Sequence, residues 1–363
     1  MLPLAMAGMH YLIIQQVYNG NNFQVIPTSR EQEQPLKIFV CEFITGGGLY
    51  REPLPASLAR EGALMRDALM RDLAELAGVA VIGSHDARLP APQFAHQSVA
   101  IHEQGDVWSI WNQCVANADA VWPIAPETSG VLSRFTALAE SHQKTLLGSN
   151  AHAVDIAGSK MATFKTLQSA GINAVPSYST DDWPKDEAGA WVTKPDDGVG
   201  CDGTLYFATT ANLADWLEQG VATQHIIQPY RSGVAASLSM LCKQGQAWLL
   251  SCNQQKITLQ EGKFSYHGSV LNGMAEHSQA FEHLAQQIAA AIPGLAGYVG
   301  VDVLVHQGHI EVLEINPRLT TSYAGLHQAI GCNPAGLVLD LLYNDHFELP
   351  KISRHLVDIA LDE

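Results

Sequence analysis

GYVGVDVLVHQGHIEVLEINPR, residues 297–318, decides how this chain is read. Two β-rich runs flank a turn near Gly308, and polar and apolar residues alternate with the period of a strand. With Gly308 as the midpoint of a hairpin, Asp302 faces Glu314 and Gly300 faces Asn316. Asp302, Glu314 and Asn316 then share one face, and Val301, Val303, Val305, Leu313 and Ile315 share the other. Facing Cβ atoms lie about 5 Å apart, so the two carboxylates repel unless a cation or a shared proton separates them. Asn316 adds a third hard oxygen, and Mg²⁺ takes such a set with water and phosphate oxygens completing its shell. Pro317 ends the strand, and Arg318 sets a fixed cation where a phosphoryl group would lie. A wet edge hairpin would also alternate. It would have no reason to gather two acids, an amide and an arginine at one end.

Phosphates at such a site need lysines and a Gly-rich loop upstream. Residues 192–203 read VTKPDDGVGCDG. Lys194 closes a strand, and Gly198, Gly200 and Gly203 follow in a loop whose backbone N–H groups can approach phosphate oxygens. Lys160, in AGSKMATFKTL, opens a helix and offers a second cation, although a solvated helix lysine would look the same. In IIQPY, residues 226–230, a strand runs into Gln228, Pro229 and Tyr230, a hinge whose backbone can read an adenine edge. Glu127 and Thr128 follow a strand in a loop, where α/β sheets place ligands, though Glu127 also suits a helix N-terminus. Asn253 and Gln255 lie on one strand face that points either into a cleft or into water. Gly46 and Gly47 line a site or form a helix-entry turn.

The whole chain limits the partners. It has 363 residues, enough for two or three domains, with 47% hydrophobic and 15% charged residues. Its net charge of −16, without a Lys/Arg cluster, excludes a nucleic-acid backbone as the expected partner. The six cysteines form no CxxC pair and are expected as reduced thiols in the cytoplasm. No apolar run approaches the ~18 residues a membrane helix needs, so no membrane partner is expected. Self-association is left open. Residues 1–36 are apolar and then polar without a period, and are expected as a poorly ordered extension, a start placed too early.

Strand candidates at 37–44, 79–83, 118–124 and 145–148 alternate with helical patterns, which predicts a doubly wound parallel α/β domain over 37–150. A helix is expected at 157–170, capped by Gly171, then antiparallel strands in an α+β second half. We divide that half into 151–230 and 231–350.

A Lys at a helix start, Lys-Pro before a Gly loop, Gln-Pro-Tyr after a strand, then Asp and Glu-x-Asn-x-Arg on a hairpin: this order resembles the ATP-grasp superfamily. The resemblance covers about residues 151–345, and 37–150 looks like the pre-ATP-grasp domain such enzymes carry. It implies two α+β subdomains gripping ATP. It implies Lys160, Lys194 and the Gly198–Gly200 loop on the phosphates, and Gln228–Tyr230 on adenine. Asp302, Glu314 and Asn316 would hold two Mg²⁺, with Mn²⁺ as a substitute, and Arg318 and Lys194 would serve the transfer. Two positions depart from the family pattern: Gln228 where many members carry Glu, and Ala235–Ala236 where many carry an acid. The stretches at 43–48, 120–135, 251–257 and 266–268 resemble the branch containing tyramine–glutamate ligase. That branch implies an ATP-dependent carboxylate–amine ligase, forming an amide through an acylphosphate and releasing ADP. Glutamate, through its γ-carboxylate, and tyramine or tyrosine are the expected pair, in the making of a methanofuran-like cofactor. Another amino-acid or dipeptide ligase, a phosphoryl-transfer kinase and a non-catalytic nucleotide sensor are the alternatives.

Overall fold

The computed structural model describes residues 14–16, 25–27, 34–220 and 224–361. Within the expected extension, β1 (Ile14–Gln16) and β2 (Val25–Pro27) pair antiparallel with each other and with no other described strand. The rest of that extension up to residue 33 lies outside the described residues. A chain beginning at residue 34 is therefore expected to fold and turn over like the full chain, checked by thermal melting and ADP release. Loss of either would make the extension part of the working fold.

β3 (Leu36–Glu42) is buried along nearly its whole length, as a central parallel strand should be. A tight turn at Ile44–Gly48 leads to α1 (Ala56–Ala74), rich in Ala, Leu, Met and Arg, all good helix formers. β4 (Val79–Asp86), β5 (Gln97–Ile101), α2 (Val107–Asn117), β6 (Ala120–Ile124), α3 (Val131–Ser141) and β7 (Thr145–Leu146) complete a five-stranded parallel sheet ordered β5-β4-β3-β6-β7. β5 and α2 lie between the strands expected at 79–83 and 118–124, where no element is expected from the sequence. β5 is a half-exposed edge strand, and α2 carries its helical period on Val107, Trp111, Cys114 and Val115 amid residues that also favour strands. The chain leaves β3 toward β4 on one side and returns as β6 on the other. Their following loops meet at the switch point of the sheet, where such folds bind ligands.

α4 (Ala151–Ala157) and α5 (Lys160–Ser169) replace the single helix expected over 157–170. The break falls at Gly158–Ser159, because the Ser159 hydroxyl accepts the Ala162 N–H at 3.0 Å and starts a new helix with Lys160 as its first residue. There follow β8 (Tyr178–Ser179), β9 (Trp191–Pro195), β10 (Leu205–Phe207), α6 (Thr210–Glu218), β11 (His225–Pro229), β12 (Val234–Lys243), β13 (Gln246–Gln260), β14 (Lys263–Leu271), α7 (Ser278–Ala291), β15 (Gly297–His306), β16 (His309–Asn316), α8 (Tyr323–Ile330), α9 (Pro334–Tyr343) and β17 (Val357–Ala360). The strands from β8 onward form one antiparallel sheet, β16-β15-β12-β13-β14-β10-β9-β11-β8, with β17 on β14. Among the described residues no helix is long and apolar enough to cross a membrane.

One apolar core joins the two sheets. Leu69 and Leu73 of α1 share it with Tyr323 and Leu326 of α8 and Leu337 of α9, all essentially fully buried. Burying each such leucine contributes about 1.5–3 kcal/mol. At the rim, buried Asp72 accepts a hydrogen bond from His327 Nδ1 at 2.9 Å, and Asn333 Nδ2 donates to the Asp72 carbonyl at 2.7 Å. The bond to Asp72 raises the His327 pKa above its usual 6.5 despite partial burial. A raised histidine contributes fully below its unfolded pKa and loses that contribution as pH rises through the folded one. The Tm gap between wild type and His327→Gln is therefore expected to be wider near pH 6 than near pH 9. An equal gap at both would remove the bond from the account.

Candidate active site

Asp302 faces Glu314 and Gly300 faces Asn316 across β15 and β16, the facing expected from the sequence. The turn is not the one expected. His306 faces His309, so it holds two residues, Gln307 and Gly308, both at positive φ, which matches the twist of a tight hairpin. A bulge next to Asp302 inserts Leu313 and restores the register at the acids. Val312 consequently takes the core position at 2% exposed, and Leu313, expected on the apolar face, is only half-buried.

The two acids lie side by side, both half-buried. Burial and the Glu314 charge push the Asp302 carboxyl up to about 8. Burial opposes ionisation of Glu314 as well, but Lys160 and Lys194 outweigh it and hold that carboxyl below its usual range. Asn316 Nδ2 donates to Asp302 Oδ2 at 3.3 Å, and Gln255 Nε2 donates to Asp302 Oδ1 at 2.8 Å. Two adjoining, half-buried carboxylates form a donor set that fits Mg²⁺, which would let both acids carry charge, and Asn316 would join it through Oδ1, the oxygen that here faces Arg318 Nη2 at 3.5 Å.

The lysines meet at Glu314. Lys160 Nζ lies 3.3 Å from Glu314 Oε2 and donates to the Gly198 carbonyl at 2.5 Å. Lys194 is nearly buried in β9, and burial pulls its pKa down to about 8. The Gly-rich loop is tied to α5, since Asp196 accepts from Ser159 Oγ at 2.6 Å and from the Met161 N–H at 2.8 Å. Thr128 Oγ1 donates to the Asp197 carbonyl at 2.8 Å, which joins that loop to the loop after β6. Gly200 holds a positive φ of 61° there.

Arg318 closes the arrangement. Its Nε and Nη2 donate to Glu127 Oε2 at 3.1 and 2.9 Å, while Nη2 lies 3.5 Å from Asn316 Oδ1. Glu127 is buried, and its Oε1 has no hydrogen-bond partner. The switch point of the parallel sheet and the acid end of the hairpin thus share one ion pair, and the assembly can hold a polyphosphate, a divalent cation and a second small molecule together.

Profile comparisons match residues 157–322 to the ATP-grasp domain and residues 79–154 to the pre ATP-grasp 3 domain. The chain belongs to the ATP-grasp superfamily. Two curated relatives are tyramine–L-glutamate ligases. The protein from Methanocaldococcus fervens is 28% identical over 272 residues, covering 74% of this chain and 83% of its own. That from Methanocaldococcus jannaschii is 28% identical over 273 residues, covering 74% of this chain and 79% of its own. Among solved structures, an ATP-grasp superfamily protein from Archaeoglobus fulgidus matches with a TM-score of 0.64 at 22% identity, over 89% of this chain and 99% of that one. An L-amino acid ligase from Bacillus licheniformis matches with a TM-score of 0.61 at 15% identity, over 86% of this chain and 75% of that one. These two support the ATP-grasp fold.

Not every residue singled out from the sequence reaches the ATP-grasp cleft. Asn253 is fully buried and donates to Ser237 and Ser239 inside the sheet, so only Gln255 of that pair joins the acids. A side chain on Gly47 would meet Ile101 at 2.6 Å, and Gly46 packs on Ser84, so close packing explains both glycines. Gln228 is turned inward, Nε2 donating to Ser177 Oγ at 2.8 Å. The Tyr230 N–H is used by the Ala190 carbonyl at 2.9 Å, and its ring meets Tyr206 edge-on. Pro229 faces Trp191 in the β9–β11 ladder, so any adenine contact falls to the remaining backbone groups of this segment. Glu61, on the second turn of α1, escaped the sequence reading. It stands within electrostatic reach of Arg318, Cys201 and Tyr266, and a lone Glu on an amphipathic helix carries no motif to announce it.

Proposed function

We propose that this ATP-grasp ligase activates the γ-carboxylate of glutamate as an acylphosphate and joins it to tyramine or tyrosine, for a methanofuran-like cofactor. The observation that carries this reading is the convergence of Asp302, Glu314, Lys160, Lys194 and Arg318 beside the switch-point loop. The two 28%-identical relatives support the substrate pair. In this reading 37–150 is the pre-ATP-grasp domain, and 151–230 and 231–350 are the two ATP-grasp subdomains. The reaction is cytoplasmic and needs neither nucleic acid nor membrane.

Lys160, Lys194 and the Gly198–Gly200 backbone hold the ATP phosphates, and the Gln228–Tyr230 segment borders adenine. Asp302, Glu314 and Asn316 would hold the metal, Mg²⁺ in two copies or Mn²⁺ in its place, which neutralises charge on the phosphates. Arg318 is steered by Glu127 toward the phosphoryl group as it passes to the carboxylate. Thr128 and Gln255 keep the neighbouring walls in place. Phosphoryl transfer asks for positioning and charge rather than a protein nucleophile.

ADP release from Mg·ATP with glutamate, measured across a panel of amines with mass spectrometry of the products, tests the proposal. An amine-dependent rate and a new amide with tyramine or tyrosine are expected. ADP release with glutamate alone and no amide would point to a kinase. Nucleotide binding without release for any pair would point to a sensor.

A further inference from the structure

We infer that Glu61 receives the amine substrate and takes its proton, an assignment that rests on the ligase reading above. α1 follows β3 and runs back along the parallel sheet, so its first turns lie at the sheet's ligand-binding edge. Helical side chains lean toward the helix N-terminus, which tilts Glu61 further toward that edge. The next residue fixes the helix at close range: a Cβ on Gly62 would stand 2.5 Å from the Glu42 carboxylate, so only glycine lets α1 sit so near the end of β3. Half-buried at that edge, Glu61 lies within electrostatic reach of Arg318 beyond β16, Tyr266 on β14 and Cys201 in the Gly-rich loop. Those three come from separate elements of the ATP-grasp half, and Glu61 comes from the other half of the molecule.

The remaining acids in that space are already engaged. Asp302 and Glu314 form the metal pair, with Glu314 also on Lys160 at 3.3 Å. Glu127 takes two N–H groups of Arg318 on one oxygen. Glu61 forms no ion pair and accepts no hydrogen bond among the described residues. Burial raises its pKa while Arg318 restrains the rise, which makes it a stronger base than a solvated glutamate. The amine arrives as an ammonium ion and gives one proton to a Glu61 oxygen. The freed lone pair attacks the acyl carbon and the C–N bond forms. The C–O bond to phosphate breaks, its electron pair leaves with phosphate, and the second nitrogen proton leaves with phosphate too.

Hydroxylamine tests this assignment, because it is largely unprotonated at neutral pH and traps acylphosphates as hydroxamates without needing a base. Glu61→Gln is expected to lower the amide rate with tyramine or tyrosine by about 100-fold or more while glutamyl hydroxamate forms as in wild type. Glu61→Asp should recover part of the amide rate. Equal losses with both nucleophiles would make Glu61 a support for Arg318 and overturn the assignment, as would unchanged rates with both. Wild type that forms neither amide nor hydroxamate would overturn the ligase reading itself, and Glu61's role with it.

Discussion

Glu314→Gln is expected to lower amide formation by about a thousandfold or more, equivalent to ~4 kcal/mol of transition-state stabilisation, with the fold intact. Glu314 faces Asp302, its partner in the proposed metal site, and forms an ion pair with Lys160. Its loss would remove one charge from the donor set proposed for the metal, at the point where phosphate charge must be neutralised. Two effects on stability oppose each other. Asp302 loses the charge that helps push its carboxyl up to about 8, which relieves the pair. Lys160 loses a partner, yet keeps the Gly198 carbonyl at 2.5 Å and the Asp196 carbonyl at 3.4 Å. Tm is therefore expected to stay within a few degrees of wild type, a shift of about 1 kcal/mol or less in a chain of this size. Wild-type turnover in this variant would sink the site assignment. A collapse of Tm would mean the pair serves the fold.

Lys194→Ala is expected to weaken ATP binding about 100-fold, or ~2.7 kcal/mol. Lys194 is nearly buried at the end of β9, and burial, with Lys160 nearby, holds its pKa at about 8 in the free protein. Below that pH it meets phosphate already charged. Above it, binding must restore the proton, so ATP affinity should fall as pH rises, by at most about tenfold per unit. Calorimetry in buffers of different ionisation enthalpy should register proton uptake on ATP binding above about pH 8 in wild type. The variant should show neither that uptake nor that slope. A wild-type affinity flat across this range would remove Lys194 from the phosphates.

The hairpin at 297–318 was legible because period-two alternation is strict where one face is core and the other is a site. Its register at Asp302 and Glu314 was legible even though the turn is one residue shorter than expected, since the bulge at Leu313 compensates for the shorter turn. Such a bulge leaves no mark in the pattern except Val312 and Leu313 standing side by side. Lys194 could be singled out because a lysine ahead of a Gly-rich loop is a local signal, whereas the Ser159 cap that makes Lys160 the first residue of α5 was hidden in the single helix expected over 157–170. Asn253 and Gln255 could not be separated from sequence. They lie two residues apart on one strand, and only the neighbouring strands decide that Ser237 and Ser239 absorb the first while Asp302 meets the second. Glu127 could be placed in a ligand loop, but its partner Arg318 lies 191 residues away and only the packed fold reveals the pair. Glu61 was invisible for the same reason, as its meaning comes from what α1 is packed against.

The most direct test of the central claim follows the oxygen of the carboxylate. Glutamate labelled with ¹⁸O in its γ-carboxylate, supplied with Mg·ATP and tyramine or tyrosine, should transfer one ¹⁸O to the released phosphate for each amide formed, alongside ADP. Unlabelled phosphate with amide present, or label appearing in AMP, would contradict an acylphosphate at this site.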